Sequence, residues 1–260
     1  VRRFVDVGQE LMTLLGFYLA EGSCSDRGGI RLAIGEGNER FLPEMGAAIE
    51  KVFGVPPKSY EADARIGELK LVNRVAALAW QHVFGFQAME SHAKRVPDLA
   101  FAVGEGLRLA FLRGYLLGDG TATNGSVVLS TSSRAGASGV SYLLSSLGVL
   151  ASVSSREPDG TEREARGKPC VTRHAHFTLT VGAPEDLVRL RPVWSSHAGA
   201  ASVAEAVLGN HPSVNRAFDA IEGDLVALPV TAVREVQATN GNVYDFSVET
   251  DENFIAGFGG

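Results

Sequence analysis

Apolar residues crowd two segments of the chain at helical spacing, and each crowd ends on an acid followed by a glycine. The first is Leu14-Leu15-Gly16-Phe17-Tyr18-Leu19-Ala20-Glu21-Gly22 and the second is Leu112-Arg113-Gly114-Tyr115-Leu116-Leu117-Gly118-Asp119-Gly120. Gly16 and Ala20 lie four apart, as do Gly114 and Gly118, and residues four apart share one helix face. Small side chains on that face let two backbones approach closely, so each segment can supply half of a helix–helix seam. Gly22 and Gly120 sit where a left-handed C-terminal cap falls. The acid before each cap is unusual. A helix C-terminus carries partial negative charge, so a carboxylate there costs a few tenths to about 1 kcal/mol. Two such acids face to face repel further and raise one pKa. A divalent cation between them offsets both costs, and ligation by oxygen alone suits magnesium. Acids that simply point into solvent are the plainer reading of either segment alone. Two segments separated by one small domain's worth of chain favour the pair.

The intervening pattern repeats. In the first half a short loop after Gly22 leads to a strand, Gly29–Ile34, then a helix, about Glu39–Phe53. Strands at Lys58–Asp63 and Glu68–Val72 and a helix at Arg74–Val83 follow. In the second half the same order runs through a strand at Gly125–Ser130, a helix at Arg134–Leu147, strands at Leu150–Arg156 and Val171–Val181, and a helix at Glu185–Trp194. Charge and glycine in Glu157–Pro169 mark an inserted, exposed hairpin tip. Ser91–Gly104 reads as the linker between halves. From about Gly223 the texture becomes β-rich, with strands expected at Asp224–Val230, Thr231–Val236 and Val243–Val248 and a hairpin turn at Asn240-Gly241. The expected division is residues 1–100, 101–212 and 220–260. The fold class is α+β: two αββαββα halves that form antiparallel sheets, with a partial β-rich segment at the end.

Composition changes this picture little. The chain has 260 residues, of which 45% are hydrophobic and 21% charged, as in ordinary globular proteins. No apolar run is long enough for a membrane span. No secretory signal is visible, so a cytoplasmic location is expected. Opening on Val1, the chain reads as a piece of a longer product. Two cysteines, Cys24 and Cys170, fit a reducing compartment, and Cys24 reads as a small buried thiol. The formal net charge of −6 argues against a wholly basic nucleic-acid binder. Distribution matters more than the total, and arginines in strand-like stretches allow a local basic face on an acidic body.

The two acid-ended helices resemble the LAGLIDADG motifs of homing endonucleases in the single-chain, two-motif form, and the resemblance covers about residues 6 to 210. It implies a saddle of two four-stranded antiparallel sheets in the major groove of double-stranded DNA, built on a monomer with an internal pseudo-two-fold axis. Glu21 and Asp119 would then be catalytic and would hold Mg²⁺, with Gly22 and Gly120 beside them as further metal-site positions. Each acid would cut one strand across the minor groove. A second resemblance covers Asn242–Gly260, which is similar to the C-terminal splicing region of inteins, especially those of archaeal replication proteins. The chain lacks the intein's closing His-Asn pair and its N-terminal splicing half, so it is not expected to splice.

The resemblance also implies a basic residue near the phosphate, and Lys94 in Lys94-Arg95-Val96-Pro97 takes that role as a third catalytic residue. No lysine stands at the equivalent point of the second half. Lys168 falls in the insertion, and His197 in Ser195-Ser196-His197 lies near the right distance. Candidate DNA-contacting side chains are Arg31, Lys58, Arg65 and Lys70 in half one and Ser130, Arg173 and His176 in half two. Arginine can read guanine bidentately in the major groove. The expected function is a site-specific endonuclease of intein origin. A LAGLIDADG-fold maturase or regulator that binds without cutting, and a decayed intein remnant, are the alternatives.

Overall fold

A computed structural model describes residues 3–213 apart from 36–37, 64–65, 88–89 and 166–167. Beyond 213 it describes 219–220, 226–228, 230, 232–238, 240–242 and 247. Half one runs α1 (Gln9–Glu21), β1 (Gly22–Ser25), β2 (Gly29–Ile34), α2 (Leu42–Phe53), β3 (Lys58–Asp63), β4 (Ile66–Leu71) and α3 (Arg74–His82). Half two runs α4 (Glu105–Asp119), β5 (Gly120–Thr123), β6 (Ser126–Thr131), α5 (Arg134–Ser145), β7 (Ser152–Arg156), β8 (Glu162–Ala165), β9 (Lys168–Val171), β10 (His176–Val181), α6 (Pro184–Arg189), α7 (Arg191–Trp194) and α8 (Ala200–Gly209). Each half contains a four-stranded antiparallel sheet, β1-β2-β4-β3 in the first and β5-β6-β10-β7 in the second.

The core is built around α1 and α4. Every residue of α1 from Leu11 to Leu19 is buried, so this helix is enclosed on all sides rather than amphipathic. One side packs on its sheet; another meets α4 through glycine. A Cβ on Gly16 would lie 1.9 Å from the Phe111 carbonyl oxygen, and one on Gly114 would lie 2.0 Å from that of Thr13. An offset of 98 residues carries Thr13 to Phe111, Gly16 to Gly114 and Glu21 to Asp119. The two close approaches are therefore reciprocal: each helix's glycine rests on the other helix at the corresponding residue.

The structure departs from the sequence reading in several places. The loops expected after Gly22 and Gly120 are strands β1 and β5, each hairpinned onto the next strand. Gly22 and Gly120 are not left-handed caps: their φ/ψ values are −90°/153° and −118°/166°. Extended backbone suits any residue; what requires glycine is space. A Cβ would meet the Tyr18 ring at 2.1 Å in one case and Leu116 Cδ1 at 2.5 Å in the other. The helix expected at Glu39–Phe53 begins as a 3-10 turn, Glu39–Phe41, and its α-helical part starts with Pro43 in the first turn. The expected Glu185–Trp194 helix is split into α6 and α7, the second with Pro192 in its first turn. Helix α8 is additional.

The inserted segment forms its own hairpin, β8 with β9. The chain then leaves strand conformation at Thr172–Ala175 before β10, where one strand, Val171–Val181, was expected. In the tail, β11 (Asp219–Ala220) pairs with β12 (Val226–Ala227). No strand forms in the described part of Thr231–Val236. Val233 and Val236 are 90% and 82% exposed, and β-branched residues without a burying partner do not make a strand. Gly241, of the expected Asn240-Gly241 turn, has φ 75°. Most of Val243–Gly260, the intein-like stretch, lies outside the described residues, as does Arg65.

Candidate active site

The two acids sit where the two motif helices end. Gly118 of α4 packs on the end of α1 so tightly that a Cβ would lie 2.5 Å from Ala20 Cβ and 3.1 Å from Glu21 Cγ. Glu21 is half-buried. Asp119 reaches solvent, yet the protein around it raises its carboxyl pKa by desolvation, with Lys94 and then His176 acting in the opposite direction.

Lys94 belongs to the same cluster. It is 7% exposed, and its Nζ donates to the carbonyls of Tyr18 (3.1 Å), Leu19 (3.1 Å), Ala20 (3.4 Å) and Gly22 (2.7 Å). These carbonyls lie at and just beyond the end of α1, where the helix leaves carbonyls without internal partners, although that of Tyr18 also accepts from the Gly22 N–H. A cation is favoured there by the helix dipole. Burial pulls the ammonium pKa down to about 8, while Asp119 and Glu21 pull it back up. Ser133, the N-cap of α5, donates to the Lys94 carbonyl and fixes the segment against half two.

The corresponding place in half two is occupied by His197. Its Nδ1 accepts from the Gly199 N–H at 3.1 Å, and burial, with Arg40 nearby, holds its pKa below the usual histidine value, the Gly120 backbone acting in the opposite direction. The carbonyl of Leu117 accepts from Asn38 Nδ2 at 3.0 Å. Lys168 lies on β9, in the inserted hairpin.

The outer faces of the sheets carry the other candidates. In sheet one, Arg31 is opposite Lys70, and Lys70 is opposite Lys58. Arg31 and Lys70 (2.8 Å) both pair with Glu68, a buried acid that the sequence reading did not single out. These pairs hold the Glu68 carboxyl below the ordinary range, Arg31 being the larger influence. In sheet two, Ser130 lies opposite Thr178, Thr178 opposite Ser154, and His176 opposite Arg156. This face is mostly hydroxyls, and Arg156 is a further basic residue on it. Arg173 lies in the exposed turn between β9 and β10 rather than on a strand, because the inserted hairpin interrupts the expected run.

Two other features stand apart from the acids. A cleft of about 620 Å³ opens at the N-terminal ends of α1 and α4, lined by Glu10, Glu44, Lys51 and Arg113. Glu90, His92 and His174 form the only set of three potential metal-ligating side chains gathered among the described residues. The two imidazoles are stacked 3.8 Å apart and nearly parallel, at 11°. Ring-nitrogen lone pairs lie in the ring plane, so these rings do not converge on one ion as they stand.

Residues 106–189 match the LAGLIDADG-like domain family. The whole chain is 28% identical over 287 residues to a DNA polymerase of Thermococcus hydrothermalis. It is also 29% identical over 276 residues to one of Thermococcus kodakarensis, with 98% of the chain covered. It spans only about 16% of the length of either polymerase. Among solved structures, the complex of I-DmoI with DNA and Ca superposes with a TM-score of 0.53 at 16% identity, covering 77% of this chain and 99% of that one. Variants of the homing endonuclease I-DmoI superpose at 0.50, covering 74% and 98%. The chain contains a LAGLIDADG-like domain and carries the two-motif LAGLIDADG fold of the homing endonuclease I-DmoI.

Proposed function

We propose that this chain is a site-specific endonuclease of double-stranded DNA that cuts with Glu21 and Asp119 across the helix seam. The observation that carries the reading is the meeting of two acid-ended helices, with one buried lysine electrostatically coupled to both acids. Carboxylate oxygens at a helix end, one of them partly desolvated, are a donor set that suits Mg²⁺. Gly22 and Gly120 follow the acids directly, although the Gly22 carbonyl already accepts a hydrogen bond from Lys94. When bound, Mg²⁺ would supply an activated water and neutralise charge on the phosphate oxygens.

The chain's own residues supply the rest. Gly16 and Gly114 bring the helices into register and so set the spacing of the acids. Lys94 holds the end of α1 and places positive charge beside the acids, where it would favour the charge that builds on a phosphate under attack. Arg31, Lys58 and Lys70 on one sheet, and Ser130, His176 and Arg173 in and beside the other, are the proposed DNA contacts. Glu68 fixes Arg31 and Lys70 in position while offsetting part of their charge. The polymerase similarity over a fraction of those proteins' length supports an element carried within such a gene, as an intein is.

The test uses the full chain with Mg²⁺ and two substrates: a duplex carrying the uninterrupted polymerase-gene junction, and a plasmid library with a randomised cassette. Cleavage at a defined sequence by wild type, abolished in Asp119→Asn with DNA binding retained, is the expected result. Absence of cleavage on both substrates overturns the reading.

A further inference from the structure

We propose that Glu90, His92 and His174 take up one Zn²⁺ ion, at a second metal site apart from the paired acids that ties the linker between the halves to the base of the inserted hairpin. The ligand atoms of the three side chains lie within 4.8 Å of one another. Glu90 Oε2 is 3.4 Å from His92 Nδ1, and the His92 and His174 rings are 3.8 Å apart. Two imidazoles and one carboxylate are a ligand set for zinc that leaves the fourth position to water. Nitrogen ligands favour Zn²⁺ over Mg²⁺, whereas the oxygen-only pair of Glu21 and Asp119 suits Mg²⁺. The chain thus sorts two metals by the chemistry of their ligands.

One adjustment separates the present arrangement from a coordinated one. Stacked rings turn their faces to each other, while the nitrogen lone pairs lie in the ring planes. Tetrahedral ligation at about 2.1 Å sets ligand atoms about 3.4 Å apart. A spread of 4.8 Å must therefore contract by about 1.4 Å. Rotation about χ2 supplies this, because that torsion is broad in histidine. It meets no core packing: Glu90 and His174 are exposed and His92 is half-buried.

The backbone beneath the three side chains is anchored. Glu90 and His92 stand on the 3-10 turn Ser91–Ala93, closed by the Ala93 N–H on the Glu90 carbonyl at 2.9 Å. The buried Lys94 pins the end of that turn to α1, and Ser132 of half two reaches Ser91 Oγ at 3.4 Å. His174 lies in Thr172–Ala175, between Val171, paired with Glu162, and His176, paired with Arg156. The ligands come from segments far apart in the chain, so no spacing motif announces them. A bound ion joins the segment that carries Lys94 to the turn that carries Arg173.

The test is calorimetry of the full chain with Zn²⁺ alone as titrant, in excess Mg²⁺ so that the paired acids are supplied with their own ion. One Zn²⁺ per chain is expected, and at about 100 times Kd it should raise Tm by roughly 5–10 °C. His92→Ala and His174→Ala should each weaken binding by about 100-fold or more, beyond the usual effect of a residue outside the coordination sphere. Glu90→Gln should weaken it by about 10-fold. All three positions stand at the surface, so Tm without metal should stay within about 2 °C of wild type. X-ray absorption of the wild-type chain with Zn²⁺ gives a check that needs no variant: two imidazoles in a shell of nitrogen and oxygen at about 2.0–2.1 Å. A wild-type chain with no Zn²⁺ binding at micromolar concentrations, binding that survives loss of either histidine, or a shell without two imidazoles overturns the proposal. The nuclease reading is decided separately, by cleavage with Mg²⁺.

Discussion

The two halves of this molecule share a skeleton and differ in their polar dressing. At the seam the correspondence is close: Gly16 rests on the Phe111 carbonyl and Gly114 on that of Thr13, at nearly the same distance. Around it the halves diverge. One sheet presents Arg31, Lys58 and Lys70 arranged around the buried Glu68; the other presents Ser130, Ser154 and Thr178 in a row. At one helix end Lys94 donates to the carbonyls; at the other Asn38 donates to that of Leu117. The contrast shows which parts a duplicated scaffold must keep. Backbone contact tolerates no added methyl group, whereas a carbonyl at a helix end can be satisfied by any donor that reaches it.

The strongest challenge to the symmetric seam is a matched pair of overpacking substitutions. Gly16→Val and Gly114→Val should each cost at least about 3 kcal/mol, because the added atoms meet backbone that cannot rotate away. Each should lower Tm by roughly 10 °C. Thermal unfolding of the two variants should agree, and a large difference between them would break the correspondence.

Next come the acids. Glu21→Gln and Asp119→Asn should each reduce cleavage roughly 100-fold or more while DNA binding persists. Single-turnover rates compared with equilibrium binding check this. The caps differ more gently. Lys94→Met removes a donor shared by four carbonyls, of which that of Tyr18 keeps the Gly22 N–H, and should cost about 1–3 kcal/mol in denaturant unfolding, more than Asn38→Ala, which removes a donor from one.

The smallest effect concerns pH. Glu68 has a lowered pKa in the folded state, so its contribution is complete above the ordinary carboxylate value of about 4.3. That contribution is lost as pH falls through the lowered value. Glu68→Gln should remove this part of the acid limb and change little of the limb's shape above pH 5. Urea unfolding measured from pH 7 down to pH 3 would show it.

Much of this was written locally in the chain. The small-residue spacing and the acid–glycine endings exposed the seam, because a helix repeats its face every few residues. Strands β2 and β6 showed themselves by alternation. Strands β1 and β5 did not: four residues of Gly, Ser, Cys, Thr and Ala carry little strand preference and exist because β2 and β6 give them a ladder. Glycines 22 and 120 were legible as special positions but not for the right reason, since crowding by Tyr18 and Leu116 is a tertiary fact. Glu68 resembled any surface acid in a strand, and only the register beside Arg31 gives it a role. Helix α8, rich in alanine, did offer a signal in its composition.

The most direct test of the central claim is an anomalous difference map from crystals of the full chain bound to a cleaved-site duplex and soaked in Mn²⁺. The account predicts density between the ends of α1 and α4, in contact with both Glu21 and Asp119. Density at Glu90, His92 and His174, with none beside the paired acids, would contradict it.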